Sequence, residues 1–243
     1  MPERELTDNI AALMAKLDAI QAQQQAILEE QRQHYRQVES LLSLYAQLTL
    51  NAPLPPMRGY AISPDFGALL LEQLRLRQPH CVVELGSGVS TLISGYTLLK
   101  QGAGRVISID QSAEFSATVA QNLRQHQIES AVTLRTAPLK PVEISGHSWD
   151  WYDPAAFADL DAIDFLVIDG PAQYLNPTPQ VRYPALPMLY SKLTPGAIIL
   201  LDDADRADEQ QVVERWLAEF DLTLVRDYSY ETEKGAKLLQ KNG

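Results

Sequence analysis

Apolar residues between 6 and 48 recur at alternating steps of four and three. They run through Leu6, Ile10, Leu13, Leu17 and Ile20 and on through Ile27, Val38, Leu41, Tyr45 and Leu48. A 3.5-residue period held for about six heptads predicts a coiled-coil helix, not a surface helix of period 3.6. At about 1.5 Å per residue such an arm would span roughly 60–65 Å. Gln24, Gln31 and His34 interrupt the seam in its middle. Polar seam residues cost stability but help set register and strand number. The expected role is homo-oligomer formation, the alternative being a helix that folds back on its own domain. Asn51-Ala-Pro-Leu-Pro-Pro stops the helix because proline cannot continue it. This divides the chain into a helical arm (1–50), a Pro-rich linker (51–57) and one domain (58–243).

Beyond the linker the pattern changes to short β-branched runs separated by amphipathic stretches, the alternation of an α/β fold. A helix over 63–76 precedes a strand ending at Glu84. Strands follow at 105–110, 132–137, 164–169 and 196–203, with helices over 114–125, 183–192 and 206–220 among them. The last two strand-like runs, 222–230 and 236–240, lie close together around Thr232-Glu-Lys-Gly235 and predict an antiparallel hairpin. Residues 141–152 are expected to form a loop carrying His147, Trp149, Trp151 and Tyr152.

Composition narrows the function. The 243 residues carry a formal charge of −11, which argues against nucleic acid, since binding it relies on Lys and Arg to neutralise phosphates. No apolar run is long enough for a membrane span, and the polar N-terminus does not read as a secretory signal. The single cysteine, Cys81, sits at the head of a predicted buried strand, consistent with a reducing, cytoplasmic setting.

The richest chemistry lies in Val82-Val-Glu-Leu-Gly-Ser-Gly-Val-Ser-Thr91, a strand, a glycine turn and a helix start. Such a turn brings a ligand to a helix N-terminus. Asp110 ends the next strand, where an acid grips ribose hydroxyls in nucleotide-binding folds. A nicotinamide-binding fold shares these features, but it wants a small residue where Thr91 stands. Five β–α repeats closed by a hairpin resemble the class I S-adenosylmethionine-dependent methyltransferases. The blocks Gly86–Thr91 (GSGxST), Val167–Pro171 (VIDGP) and Leu201–Arg206 (LDDAxR), with Arg58-Gly-Tyr-Ala-Ile-Ser-Pro-Asp65 ahead of them, resemble one methyltransferase family in order and spacing. The resemblance implies a Rossmann-like seven-stranded sheet, mostly parallel with one antiparallel strand. It also implies a cofactor site of Glu84, Gly86, Ser87, Gly88, Thr91, Asp110, Gln111, Ala137 and Asp169 for S-adenosylmethionine.

Methyl transfer requires an aligned, deprotonated acceptor. Asp169 ends the fourth predicted strand, and Asp202 and Asp203 end the fifth. Carboxylates converging there suit a hard divalent cation such as Mg²⁺ that would lower the acceptor's pKa. The arrangement looks like the acidic set of catechol-type O-methyltransferases, but Gly170-Pro171-Ala172-Gln173 stands where those enzymes carry a lysine. Asp169 and His147 are therefore the candidate bases, and Arg58, Tyr60, Tyr152 and Arg182 the candidate acceptor contacts. The expected function is O-methylation of a small-molecule or glycan hydroxyl. The alternatives are N-methylation of an amino sugar, or a scaffold that binds the cofactor without catalysis.

Overall fold

A computed structural model describes residues 2–172 and 178–243, with side chains from Asp8 onward; Leu6 of the seam and Gln173 lie outside what is described. The chain divides into two compact units, Met1–Glu39 and Ser40–Gly243.

The first unit is helix. α1 spans Pro2–Gln47, and within the first unit its seam residues Ile10, Leu13, Leu17, Ile20, Ile27 and Val38 are all exposed. In the second unit the buried face overlaps the heptad seam only in part: Leu44, off the seam, and the seam residue Leu48 are buried, whereas the seam residue Tyr45 is 44% exposed. Asn51–Met57, expected to be a linker, is fixed to this unit instead. The Asn51 backbone N–H donates to the Tyr96 hydroxyl at 2.8 Å and its amide to the His126 carbonyl at 2.7 Å. The helix stops at Gln47, ahead of the first proline at Pro53, and polar anchors hold the segment down.

The remaining elements follow in chain order: α2 (Pro64–Arg77), β1 (Cys81–Leu85), α3 (Val89–Gln101), β2 (Arg105–Asp110), α4 (Ala113–His126), β3 (Val132–Thr136), β4 (Leu139–Ile144) and β5 (His147–Tyr152). Then come β6 (Ile163–Ile168), α5 (Ala185–Leu189), β7 (Leu193–Leu201), α6 (Ala207–Glu219), β8 (Leu222–Asp227) and β9 (Lys237–Lys241). Seven strands form one sheet in the order β3-β2-β1-β6-β7-β9-β8. Only β9 runs against its neighbours, β7 on one side and β8 on the other. The seven-stranded, mostly parallel sheet with one antiparallel strand is thus as expected.

β1, β6 and the inner part of β7 read as continuous apolar runs because both faces of the sheet are covered. Alternate residues enter opposite layers. Val82, Phe165 and Leu200 pack with α2 and α3 residues such as Leu70 and Ile93, while Val83, Leu166 and Ile199 pack with Leu186 and Trp216 of α5 and α6. The chain reverses direction across the sheet between β1 and β6, which opens a crevice at the strands' carboxyl ends.

Two local expectations change. Residues 141–152 are not a loop: β4 and β5 form an antiparallel hairpin outside the main sheet. Its turn is Ser145-Gly146, both at positive φ (+52° and +79°), the geometry a two-residue hairpin turn demands. Trp149 and Trp151, two apart, are buried in the α5/α6 layer while Ser148 and Asp150 face out. The helix expected over 183–192 shrinks to α5 plus a 3₁₀ turn at Tyr190–Lys192. Pro187 has no N–H to offer the preceding turn; the Tyr183 carbonyl accepts instead from Trp216 Nε1 at 2.9 Å. Among the described residues no helix is long and apolar enough to cross a membrane.

Candidate active site

The glycine loop leaves β1 directly over the crevice. Gly86 sits at φ +92°, and a Cβ there would meet the Asp169 carbonyl carbon at 3.2 Å and the Gly170 nitrogen at 3.3 Å. Only glycine meets both demands. Its N–H donates to the Ile109 carbonyl at 2.8 Å, which ties the β1 loop to the end of β2. Gly88 caps α3 with open space around it. A turn passing into a helix N-terminus with room beside it is a cradle for a polar ligand.

Beneath the loop lies a buried polar cluster. Glu84 Oε2 accepts from the hydroxyls of Thr91 (2.5 Å) and Ser108 (2.8 Å), and Thr91 Oγ1 in turn accepts from the Gly88 N–H (2.9 Å). Ser108 Oγ also lies 2.7 Å from Ser87 Oγ. Glu84 and Thr91, expected to touch the cofactor, have no exposed surface. They shape the loop from below and are not ligand contacts in this conformation. Ser108 was missed; its one signal was a lone hydroxyl between Ile107 and Ile109 in an otherwise apolar strand.

Burial pushes the Glu84 carboxyl up to about 7, against the Ser90, Thr91 and Ser108 hydroxyls that favour its ionised form. A carboxyl whose folded pKa is raised contributes stability below its unfolded value, near 4.5, and loses it as pH rises through about 7. Thermal melts across pH 4.5–8 should therefore show a decline that is smaller in Glu84→Gln than in the wild type, by on the order of 3 kcal/mol at about 1.4 kcal/mol per pH unit. Parallel profiles for the two proteins would refute this.

Asp110 ends β2 with its carboxylate turned to the loop: Oδ2 accepts from the Ser87 N–H at 3.1 Å and Oδ1 from the Ser112 N–H at 2.7 Å. Gln111 follows, half-buried, and Ala137 is buried with its N–H on the Asp110 carbonyl at 2.8 Å. Ser87, Gly88 and Asp169 line a cleft of about 280 Å³, together with Arg58, Tyr60 and Ala61 from the segment before α2. Tyr60 is 71% exposed there.

Across the crevice, Asp169 follows β6, and Asp202 and Asp203 follow β7. Each of the three offers a carboxylate oxygen, and these oxygens lie within 4.8 Å of one another. Arg182 is buried among them. Its guanidinium donates to Asp203 Oδ2 (2.7 Å), Asp169 Oδ1 (3.3 Å) and the carbonyls of Asp169 and Asp202 (2.9 and 2.8 Å), with Glu209 at 3.7 Å. Arg182, expected to meet the acceptor, instead holds the two acid-bearing loops together. The half-exposed Arg206 adds a second bond to Asp203 at 3.0 Å. Four acids share these two guanidinium groups, and neither one bonds the Asp202 carboxylate. Both of its carboxylate oxygens are buried without a hydrogen-bond partner, as is Asp203 Oδ1. Burial, with Asp169 and Asp203 beside it, pushes the Asp202 carboxyl well above the usual range. Asp169 rises to about 6, again through burial, with Arg182 opposing.

Lys234, unremarked in the sequence, stands next to this group. Its ammonium donates to the carbonyls of Gly59 (3.2 Å) and Ala61 (2.9 Å), and its charge favours ionisation of both Asp169 and Asp202. The loop bearing it is anchored by the Glu233 N–H on Asp65 (2.8 Å) and by the Ala204 N–H on the Gly235 carbonyl (3.0 Å).

Two sequence candidates are not brought to the cleft. The Tyr152 hydroxyl is fully buried without a hydrogen-bond partner, packed so closely on Gly170 that a Cβ there would collide with it. It supports the crevice from beneath and cannot reach an acceptor. His147 lies at the other end of β5, five residues or about 17 Å along the strand from Tyr152. It is exposed and bonded to the Ser145 carbonyl in its own turn (3.3 Å).

A mostly parallel sheet with a glycine loop, an acid at the end of the neighbouring strand and an acidic cluster at its switch point is the arrangement in which such sheets bind nucleotide-like ligands. A family model described as a methyltransferase domain matches residues 83–204, and one for protein-L-isoaspartate (D-aspartate) O-methyltransferase matches residues 10–140. The chain belongs to the methyltransferase-domain family and is an S-adenosylmethionine-dependent methyltransferase. No curated protein matches it. Among solved structures, a putative O-methyltransferase from Klebsiella pneumoniae is 20% identical with a TM-score of 0.57, over 86% of this chain and 90% of that one. An O-methyltransferase from Bacillus cereus, solved with S-adenosylhomocysteine, is 16% identical with a TM-score of 0.57, over 86% and 91%. The O-methyltransferase TomG from Streptomyces achromogenes, involved in tomaymycin synthesis and solved with S-adenosylmethionine, is 17% identical with a TM-score of 0.56, over 76% and 82%. At these identities the likeness speaks to the fold.

Proposed function

We propose that this enzyme methylates a hydroxyl of a small-molecule or glycan acceptor, with a divalent cation held by Asp169, Asp202 and Asp203. The observation that carries the reading is the pairing of two sites across one crevice: the loop cradle with Asp110 on one side, the under-neutralised carboxylates on the other. S-adenosylmethionine supplies, when bound, a methyl group activated on a sulfonium sulfur. The open backbone of Ser87 and Gly88 would hold its methionine part and Asp110 its ribose hydroxyls, with Gln111 and Ala137 beside the base. The polar cluster under the loop keeps that cradle in one shape before anything binds, so little ordering cost falls on binding.

Asp169 is the group of the acidic set that also lines the cleft. With a carboxyl near 6 it is ionised at neutral pH, the state in which it would ligate the cation. The donor chemistry suits a hard cation: two free oxygens on Asp202 and one on Asp203, all buried, want positive charge. A cation there would act as a Lewis acid on the acceptor oxygen. Arg58 and Tyr60 at the mouth would orient the acceptor, and Lys234 would fix the segment carrying them. The buried free thiol of Cys81 suits a cytoplasmic setting, and the heptad arm suits self-association.

The test begins with calorimetry: the wild type should bind S-adenosylmethionine, and failure to bind removes the reading. Binding of Mg²⁺ or Mn²⁺ should vanish in Asp202→Asn, and chelation should lower methyl transfer at least about tenfold. Full activity in chelator would leave the methyltransferase and remove the cation.

A further inference from the structure

The exposed face of the first unit is wider than a two-stranded seam. With Ile10, Leu17, Gln24, Gln31 and Val38 at heptad position a and Leu13, Ile20, Ile27 and His34 at d, the next residue after each d is e. Among the residues with described side chains, the e positions in this unit are Met14, Gln21, Leu28 and Tyr35. Three of the four are large and apolar, and they are 61%, 55% and 66% exposed. In a two-stranded coil e and g normally carry the charges that pair across the interface. Here no e position in this unit is charged, and g carries only Lys16 and Glu30 among Gln23 and Gln37. An a/d/e stripe is the broad apolar face of a helix in a bundle, whereas a/d alone is the narrow seam of a pair.

The a/d core is mixed. Ile10 at a with Leu13 at d is the pairing of two-stranded coils, but the next layer, Leu17 at a with Ile20 at d, is the combination that shifts parallel coils to three or four, so the e positions decide. The polar layers Gln24, Gln31 and His34 weaken the a/d seam in its middle, and Leu28 and Tyr35 lie beside those layers. Two paired helices would leave Met14, Leu28 and Tyr35 at the water-facing rim; a third helix covers them.

We propose that the arms of at least three copies of this chain associate into one bundle, with the e-position residues buried between neighbouring helices. This rests on the reading that the arm self-associates, and adds the number of strands. The occupant is the same chain because the heptad face that must be covered also supplies a complementary heptad face.

Sedimentation equilibrium of the full chain at micromolar concentration gives the test. The expected wild-type mass is that of three or four chains. Met14→Lys with Leu28→Lys and Tyr35→Lys should reduce it to two, with the far-ultraviolet helical signal retained. Leu17→Lys with Ile20→Lys, which breaks the a/d seam itself, should give one. Should the triple lysine variant lose its helix, the same three positions as Gln provide the milder substitution, again expected to yield two. A wild-type mass of two chains overturns the e-face proposal and leaves self-association standing; a mass of one overturns both. A triple variant that stays at the wild-type mass also overturns the role given to the e positions.

Discussion

Arg182→Met is expected to destabilise the second unit by about 3–5 kcal/mol, the usual cost of stripping the partner from a buried ion cluster. The side chain has almost no exposed surface and touches Asp169, Asp203, Glu209 and two loop carbonyls. Methionine fills much of the volume but leaves those acids either to ionise unpaired in a low dielectric or to take up protons. Loss should therefore be greatest at high pH and partly relieved below about pH 5. Thermal melts provide the check, with a drop of roughly 10 °C at pH 8. Arg182→Lys should recover only part of it, because a single ammonium cannot reach both acid loops at once. A melting temperature unchanged by Arg182→Met would mean the cluster is held some other way.

The second large effect belongs to Asp110. Asp110→Ala should weaken S-adenosylmethionine binding at least about 100-fold, since hydrogen bonds to a charged group contribute roughly 1.5–3 kcal/mol each. The carboxylate acts in two directions at once. It accepts the Ser87 and Ser112 N–H groups, and it is the group proposed to bind the ribose hydroxyls. Asp110→Asn keeps one acceptor oxygen and should fall between wild type and alanine. Calorimetry reads the affinity, and unchanged binding in the alanine variant would remove Asp110 from the cofactor site.

The fold was readable where the signal was local and repeated. Apolar runs ending in an acid marked β1, β2, β6 and β7, and the glycine spacing marked the loop. The β4–β5 hairpin was carried by a Ser-Gly turn flanked by alternating Trp149 and Trp151, but the proline and charges of Lys140-Pro141 and Glu143 masked the strand character. Among the site residues, Asp110, Asp169, Asp202 and Asp203 could be placed because strand ends converge at the switch point of a parallel sheet. What each side chain does there could not be placed. Glu84 and Thr91 look like ligand residues by type, yet local packing turns them under the loop. Arg182 looks like an anion contact, yet charge balance among distant acids draws it inward. Lys234 arrives from a loop some sixty residues after Asp169, a proximity that no spacing rule encodes.

The insertion of β9 between β7 and β8 has a consequence for synthesis. β8 leaves the ribosome before β9, but its only neighbour in the sheet is β9. Until Lys237–Lys241 emerges, β7 presents a bare, strongly apolar edge, Ile198–Leu201, and β8 has nothing to join. A nascent chain paused at that stage is open to pairing with other edges. Docking of β9 closes that edge and gives β8 its partner in the same step.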